Sequence, residues 1–403
     1  LRPEPAQQKP LILKEKIKIK RSQRMDFKLT DEQMMFKETA KKFAETEISP
    51  LIRQMEEHQR TPRELIKKMR DLSFYGVQYP AEYGGVGSTY LEYAMVIEEL
   101  SRVYCSIGGH ISVNCLCAGT INDFGTVEQK KKYLPELVQG DAVGSFAFTE
   151  PSTGSDPGAI RTTCVREGDN WVINGEKIFI TNSTLPGYIV LFCKDVEKDN
   201  KITNIIVPKD AKGYSTPKHV EKMGMHGMEV ADVVLEDVRV PFENTTGGEA
   251  GRGKGFSMLT AEIAIGKLGI SAECLGMAQG AFEEAVKYAK ERVQRGKPIN
   301  SFQTIQWLLG EMSSDVEASR YYTYATAFRK SQKEDILFHS ARTRLFVSQA
   351  CHRVVNNAMQ VHGAFAYSKE FNIERIFRDM KLAEIYEGVN EIQRVIAAAE
   401  YLR

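Results

Sequence analysis

The hydrophobic period of this chain changes twice along its length, and those two changes set what it can fold into. From Thr30 the text is helical: Thr30-Asp31-Glu32-Gln33 has the form of a capping box, and Met34, Met35, Phe36, Ala40, Phe43, Ala44 and Ile48 recur at helical spacing until Pro50 stops them. Amphipathic stretches at 93–103 and 129–138 carry the pattern further. Near residue 140 the period shortens. Trp171-Val172-Ile173-Asn174-Gly175-Glu176-Lys177-Ile178-Phe179-Ile180 reads as two β-prone runs joined by Asn-Gly, the strongest short hairpin signal. Residues 188–193, 202–207 and 230–240 add apolar runs bounded by turn residues. Helical periodicity returns after the glycine-rich stretch 247–255 and holds to the end, broken near Gly296-Lys297-Pro298. That stretch matches neither a P-loop nor a dinucleotide fingerprint and reads as a flexible interdomain linker. The order helices, sheet, helices predicts an α+β multidomain chain. Its parts are a basic arm at 1–24, a helical domain at 25–140, a β domain at 141–250 and a helical bundle at 251–403.

A chain of 403 residues can bury a core large enough to hold a sizeable cofactor. Its 54 basic and 53 acidic residues leave a net charge of +1, so no global field recruits nucleic acid or an anionic membrane. The seven cysteines contain no C-x-x-C pair and the seven histidines no H-x-x-x-H, which argues against a metal site or a disulfide framework. They read as reduced, buried thiols of a cytosol-like compartment. No apolar run is long enough to span a membrane. The arm carries Lys14-Glu15-Lys16-Ile17-Lys18-Ile19-Lys20-Arg21 ahead of a Met25 that resembles an ordinary start. It lacks the apolar centre of a secretory signal, and Glu4 and Glu15 weigh against a transit peptide, so a bacterial cytoplasm is expected, with the mitochondrial matrix as the alternative.

Near the end, Ile385-Tyr386-Glu387-Gly388-Val389-Asn390 sets a glutamate between an aromatic residue and a glycine. Glycine in a helix interior costs roughly 1 kcal/mol relative to alanine, so something other than helix stability selects it. Apolar walls from Ile385 and Tyr386 would desolvate the carboxylate and raise its pKa from about 4.3 toward neutrality, where it becomes a useful base. The same text also reads as a helix start with an acid near its N-terminus.

From about Met25 to Arg403 the chain resembles the acyl-CoA dehydrogenase family, most closely its short-chain, butyryl-CoA-type branch. The matching text is Tyr79-Pro80-Ala81-Glu82-Tyr83-Gly84-Gly85, Phe148-Thr149-Glu150-Pro151-Ser152-Thr153-Gly154-Ser155-Asp156 and Asn174-Gly175-Glu176-Lys177-Ile178-Phe179-Ile180-Thr181-Asn182. It continues with Glu291-Arg292, Gly296-Lys297-Pro298-Ile299, Phe302-Gln303, Arg378-Asp379 and Tyr386-Glu387-Gly388. The resemblance implies an N-terminal helical domain, a central β domain and a C-terminal four-helix bundle, assembled as a homotetramer, a dimer of dimers. FAD would lie between the β and C-terminal domains. Phe148, Thr149 and Ser155 would line flavin and thioester, with Phe179 on the ring face and Thr181 near flavin N5. Arg292 and Gln303 would reach the diphosphate and adenosine end of FAD across a dimer contact. Gln360, Gly363 and Ala364 would line that region, and Val389 and Glu391 also belong to the cofactor set. Ser155, Lys267, Tyr386 and Gly388 would contact the acyl-CoA substrate. Glu387 would remove the α-proton while a hydride leaves the β-carbon for the flavin, giving a trans-2-enoyl-CoA, with electrons passing to an electron-transfer flavoprotein.

Some relatives carry the base on an earlier helix, at the position of Gly266 here, and Glu262 is the only acid near it on that face. Lys267 stands where an arginine commonly helps hold CoA, Arg295 where phenylalanine is usual, and Val389 where a threonine often bonds the FAD phosphates. Residues 363–367 replace a more glycine-rich loop. Cys105-Ser106-Ile107-Gly108-Gly109-His110 lacks the arginine expected for a dicarboxylyl substrate, and His110 reads as a satisfied buried histidine. A short or modified acyl chain fits best. The rival readings are an enoyl-CoA reductase running the same chemistry backward and a flavin-free acyl-CoA-binding protein.

Overall fold

Side-chain caps start the N-terminal helices. In the computed structural model, which describes residues 28–402, Thr30 and Gln33 form the expected capping box on α1 (Asp31–Phe43). The arm at 1–24 lies outside the described residues. Pro50 does not stop the helical path. The chain passes through one π turn at Ala44–Ile48 and a 3-10 turn at Ser49–Leu51, where proline sits in the first turn and its missing N–H costs nothing, and enters α2 (Ile52–His58). α3 (Arg63–Asp71) follows, and two further capping boxes, Thr89–Glu92 and Thr126–Gln129, open α4 (Tyr90–Val103) and α6 (Val127–Gln139). Between them α5 (Cys105–Phe124) is buried nearly all round, as a central helix must be.

The middle of the chain is one curled sheet of β1 (Ser145–Ala147), β2 (Thr163–Glu167), β3 (Asn170–Thr181), β4 (Tyr188–Asp195), β5 (Lys201–Pro208), β6 (Tyr214–Ser215) and β7 (Val230–Pro241). Its order is β1-β4-β2-β3-β7-β6, with β5 paired to β4. Trp171, Ile173, Leu191, Ile205, Val233 and Val238 form its core. The expected hairpin at Asn174-Gly175 is not there. β3 runs straight through it, and the turn lies earlier, at Gly168-Asp169, where Glu167 pairs with Asn170. Asn-Gly marks a bulge instead: the ladder steps from Ile173–Val238 to Gly175–Leu235, so the extra residue is on β7. The Asn174 side chain fills the gap, donating to Asp237 Oδ1 at 3.0 Å and accepting from Asp237 N at 2.8 Å. Gly175 is required there, because a Cβ would lie 2.7 Å from Thr162 Cα. A second bulge, between Lys177–Val233 and Ile180–Ala231, puts the extra residue on β3.

The glycine-rich connection is pinned rather than flexible. α7 (Gly248–Gly251) lies within it, Gly247 N donates to Gln129 Oε1, Gly253 N to Thr203 Oγ1, and Arg252 pairs with the buried Asp195. α8 (Gly255–Glu291) then runs for about 55 Å and packs on α4 and α5 as well as on the C-terminal helices. A small hairpin of β8 (Val293–Gln294) and β9 (Lys297–Pro298) precedes α9 (Gln303–Ser331) and α10 (Leu337–His362), and the shorter α11 (Asn372–Leu382) and α12 (Asn390–Ala399) close the bundle. All seven cysteines are buried and free, and no helix of the described residues is long and apolar enough to cross a membrane.

Lys177 ties the β3 bulge to the loop after β1. Its ammonium, fully buried, donates to Glu150 at 2.8 Å, to Phe192 O at 2.7 Å and to Phe148 O at 3.3 Å. Glu150 in turn accepts from Arg161 N and Thr162 N. Breaking a buried pair strands the remaining charge, so Lys177→Met is expected to destabilise the fold by about 3 kcal/mol, measured by chemical denaturation.

Candidate active site

Glu387 lies in the turn between α11 and α12, with φ of 51°, followed by Gly388 at φ 95°. The glycine therefore serves a left-handed turn, not a helix interior, and the glutamate precedes the start of α12. A non-glycine residue held at positive φ costs on the order of 1–2 kcal/mol, which its surroundings must offset. The turn hangs on α10 through Arg344, whose side chain bonds the carbonyls of Tyr386 and Gly388 on either side of Glu387.

The carboxyl points into the seam between α5 and α8. Part of the residue remains exposed, but Oε2 is shut off from solvent and has no hydrogen-bond partner among the described residues. The space it fills is the one Gly266 leaves free: a methyl group there would sit 2.9 Å from Glu387 Cδ and overlap Oε2, with Leu116 on the far side. Burial pushes the Glu387 pKa up to about 7, while the positive charges of Arg344 and Lys267 pull against that rise. Lys267, itself buried, is brought down to about 8 by desolvation and by Arg344, with Glu387 acting in the opposite direction.

Two more carboxyls line the seam. Glu262 has both oxygens buried and unpartnered, and burial holds its pKa well above the usual carboxylate range. It faces Gly119 and Tyr79 rather than Glu387. Glu273, which the sequence did not single out, is raised to about 8 by burial and accepts the Tyr386 hydroxyl at 2.5 Å. His110 is a satisfied core histidine: Tyr75 Oη lies 2.7 Å from Nε2, Asn182 Oδ1 lies 2.8 Å from Nδ1, and burial lowers its pKa to about 4.

The expected cofactor residues fall into two groups. Phe148, Thr149, Phe179 and Thr181 sit together where the loop after β1 meets the β3 bulge, joined by Ile178 N donating to Thr149 O at 3.0 Å. Phe179 is the extra residue of that bulge: its φ is 58° and the residue is 60% exposed, a costly conformation that turns an aromatic side chain outward. Ser155 is exposed on the neighbouring loop. Asn182 carries this edge back to α5 by donating to His110 O at 3.0 Å. The second group lies at the far end of α8 and α10, where the Arg292 guanidinium stacks 5.3 Å over the Phe365 ring beside exposed Gln360, Gly363 and Ala364, and Gln303 is exposed at the start of α9. Val389 caps α12 without a side-chain bond, and Glu391 pairs with Arg394 on the surface.

The raised Glu387 pKa implies a stability signature. Between about pH 4.5 and 7 the folded state holds a proton that the unfolded chain releases, so stability falls as pH rises and levels off above 7. Glu387→Gln removes this term and leaves those of Glu262 and Glu273, so at pH 8 the variant is expected to gain up to about 3 kcal/mol over wild type relative to pH 4, read from denaturation curves at both values. Gly266→Ala is expected to expel the carboxylate from its slot and to erase the same pH-dependent difference.

The chain matches, in order, the family profiles described as the N-terminal domain (residues 30–141), middle domain (145–238) and C-terminal domain (253–402) of acyl-CoA dehydrogenase. It is 39% identical over 382 residues to the short-chain specific acyl-CoA dehydrogenase of Clostridium acetobutylicum, covering 94% of this chain and 100% of that one. It is 35% identical over 378 residues to subunit CarC of the caffeyl-CoA reductase-Etf complex of Acetobacterium woodii, covering 93% and 99%. Butyryl-CoA dehydrogenase from Megasphaera elsdenii superposes with a TM-score of 0.90 at 35% identity, over 94% of this chain and 100% of the other. With three profiles in register and the three-domain architecture in common, the chain belongs to the acyl-CoA dehydrogenase family, whose members are FAD-dependent oxidoreductases.

Proposed function

We propose that this protein oxidises a short or modified acyl-CoA thioester to its trans-2-enoyl-CoA, with Glu387 as the α-proton base. The observation that carries the reading is the Glu387 carboxyl itself. Its Oε2 is shut off from solvent and unpartnered and its pKa is poised at about 7, so near neutral pH it is ionised in a substantial fraction of molecules and that oxygen meets no competing donor. Its ionised form is supported by Arg344 and Lys267, and Gly266 supplies the slot that the carboxyl occupies. No acceptor for the Glu387 N–H is present among the described residues, which leaves that donor for the thioester oxygen, where negative charge develops as the proton leaves.

The residues present fit FAD. An aromatic ring forced outward on a bulge, flanked by Thr149 and Thr181, suits the face and edge of an isoalloxazine, and Phe148 and Ser155 extend that wall. Arg292, Gln303, Gln360, Gly363 and Ala364 would hold the diphosphate and adenosine end supplied across a homotetramer contact, with Val389 and Glu391 near the same end. FAD, when bound, supplies the acceptor for the β-hydride. Lys267, Tyr386, Gly388 and Ser155 would contact the thioester and CoA. Electrons pass to an electron-transfer flavoprotein, a partner supported by the likeness to a subunit of an Etf complex.

That same likeness, to a reductase subunit, favours one second reading, the reverse reaction on an enoyl-CoA with the same residues. The flavin potential with substrate bound separates the two directions.

The visible spectrum tests the proposal. Bound flavin is expected to bleach anaerobically with butyryl-CoA in wild type, and Glu387→Gln is expected to slow bleaching by about 10²–10⁴-fold while keeping the flavin. Protein that takes up no flavin, or a variant that bleaches as fast as wild type, would refute it. In wild type the bleaching rate is expected to rise with pH through about 7 as Glu387 loses its proton.

A further inference from the structure

We propose that Arg344 is the positioning residue of the base: one guanidinium, clamped under the turn from Ala383 to Asn390, fixes the direction in which Glu387 points. The inference rests on the reading of Glu387 given above. Arg344 projects from α10 and is completely buried. Nη2 donates to Ala383 O at 3.1 Å and to Tyr386 O at 2.6 Å, and Nη1 donates to Gly388 O at 2.5 Å and to Asn390 Oδ1 at 3.4 Å. The four Nη hydrogens are thus all engaged, and they hold the turn immediately before and immediately after the glutamate.

Three carbonyls converging on one point repel each other unless a donor with several N–H groups sits among them. A planar guanidinium supplies those directions at once, whereas an ammonium supplies three from a single point. The arrangement is built for this purpose. Ser348, one turn along α10, bonds Asn390, and the buried Gln393 of α12 donates a second hydrogen bond to Gly388 O at 2.8 Å. The bonds of Arg344 go to carbonyl and amide oxygens and not to a carboxylate, so its charge is not neutralised by a contact ion pair and acts on the nearest acid. Arg344 from α10 and Lys267 from α8 act on Glu387, with Arg344 giving the larger downward pull on its pKa, while Glu387 in turn raises Glu273 of α8 and Tyr93 of α4.

The test compares Arg344→Lys, Arg344→Met and Gln393→Leu with wild type as flavin-loaded full-length protein. Three quantities are measured: flavin content, KM and kcat for butyryl-CoA, and exchange of the substrate α-hydrogen for solvent deuterium across pH 5 to 9. Arg344→Met is expected to lose about 10²-fold in kcat and in α-exchange per bound flavin, because a displacement of about 1 Å costs that much. KM is expected to change little, and the rise of exchange near pH 7 to move to higher pH. Arg344→Lys is expected to restore the position of that rise but only part of the rate. Should Arg344→Met fail to fold, Gln393→Leu removes one donor from the same carbonyl and is expected to lower α-exchange about 10-fold at unchanged KM. Variants that keep the wild-type exchange rate and pH profile, or that lose activity only in proportion to flavin, would overturn the proposal. A wild type that exchanges no α-hydrogen would instead overturn the assignment of Glu387.

Discussion

An ionisable carboxyl with one oxygen shut off from solvent and left without a hydrogen-bond partner is the constraint around which this structure is arranged. Left alone, the Glu387 group would stay protonated, since burying a bare charge costs far more than any single contact returns. Its pKa stops near 7 because two cations share the site, each buried in its own right. Those cations need support too. Arg344 finds it in the carbonyls of the turn it holds, and Lys267 in the field of Glu387 itself. The glycine at 266 is then a requirement of the neighbouring element, since the volume of its missing side chain is the volume of the carboxyl.

The other half of the site is built from a different material. Backbone irregularity, not helix packing, presents Phe179 and Thr181. A bulge on β3 adds one residue, rotates an aromatic ring to the surface and stops the strand at Asn182, whose side chain grips α5 at His110 and the chain before β1 at Gly144. α5 is also the helix whose Leu116 backs the Glu387 slot. One buried helix therefore references both halves, and the fully satisfied His110 is a structural pin between them.

Much of this was legible in the sequence because periodicity and capping are local. Thr89-Tyr90-Leu91-Glu92 and Thr126-Val127-Glu128-Gln129 carry the same cap signature as Thr30, and the strands at 188–193, 202–207 and 230–240 fall where their apolar runs predict. What was misread depends on partners distant in the chain. Asn174-Gly175 looks like a turn until Asp237, 63 residues away, is known to bond the asparagine. The glycine-rich connection looks flexible until Asp195 and Thr203 are seen to fasten it. Pro50 looks like a stop, yet it occupies a position that needs no N–H. Of the site, Glu387 could be found from its neighbours in sequence, while Arg344, 43 positions earlier, sits in an unremarkable run of helical text, and only the convergence of carbonyls in space reveals it.

Three glutamates along one seam show how such a site assigns roles by environment. Glu262, Glu273 and Glu387 all have carboxyls buried against α5 and α8, and desolvation raises all three. For Glu262, burial and the charge of Asp123 both raise the pKa, Lys330 is the one cation that pulls against them, and the group is held neutral. Glu273 takes a hydrogen bond from Tyr386, feels the charge of Glu387 and stays protonated through neutral pH, with a pKa near 8. Only Glu387 faces both Arg344 and Lys267, and only it is balanced at neutrality. Separating the pKa values of like groups by their neighbours is a general way in which one site obtains a single base from several carboxyls. Here the separation follows from which carboxyl the turn carries beneath the guanidinium, so the identity of the proposed base and the geometry of the turn have the same physical origin.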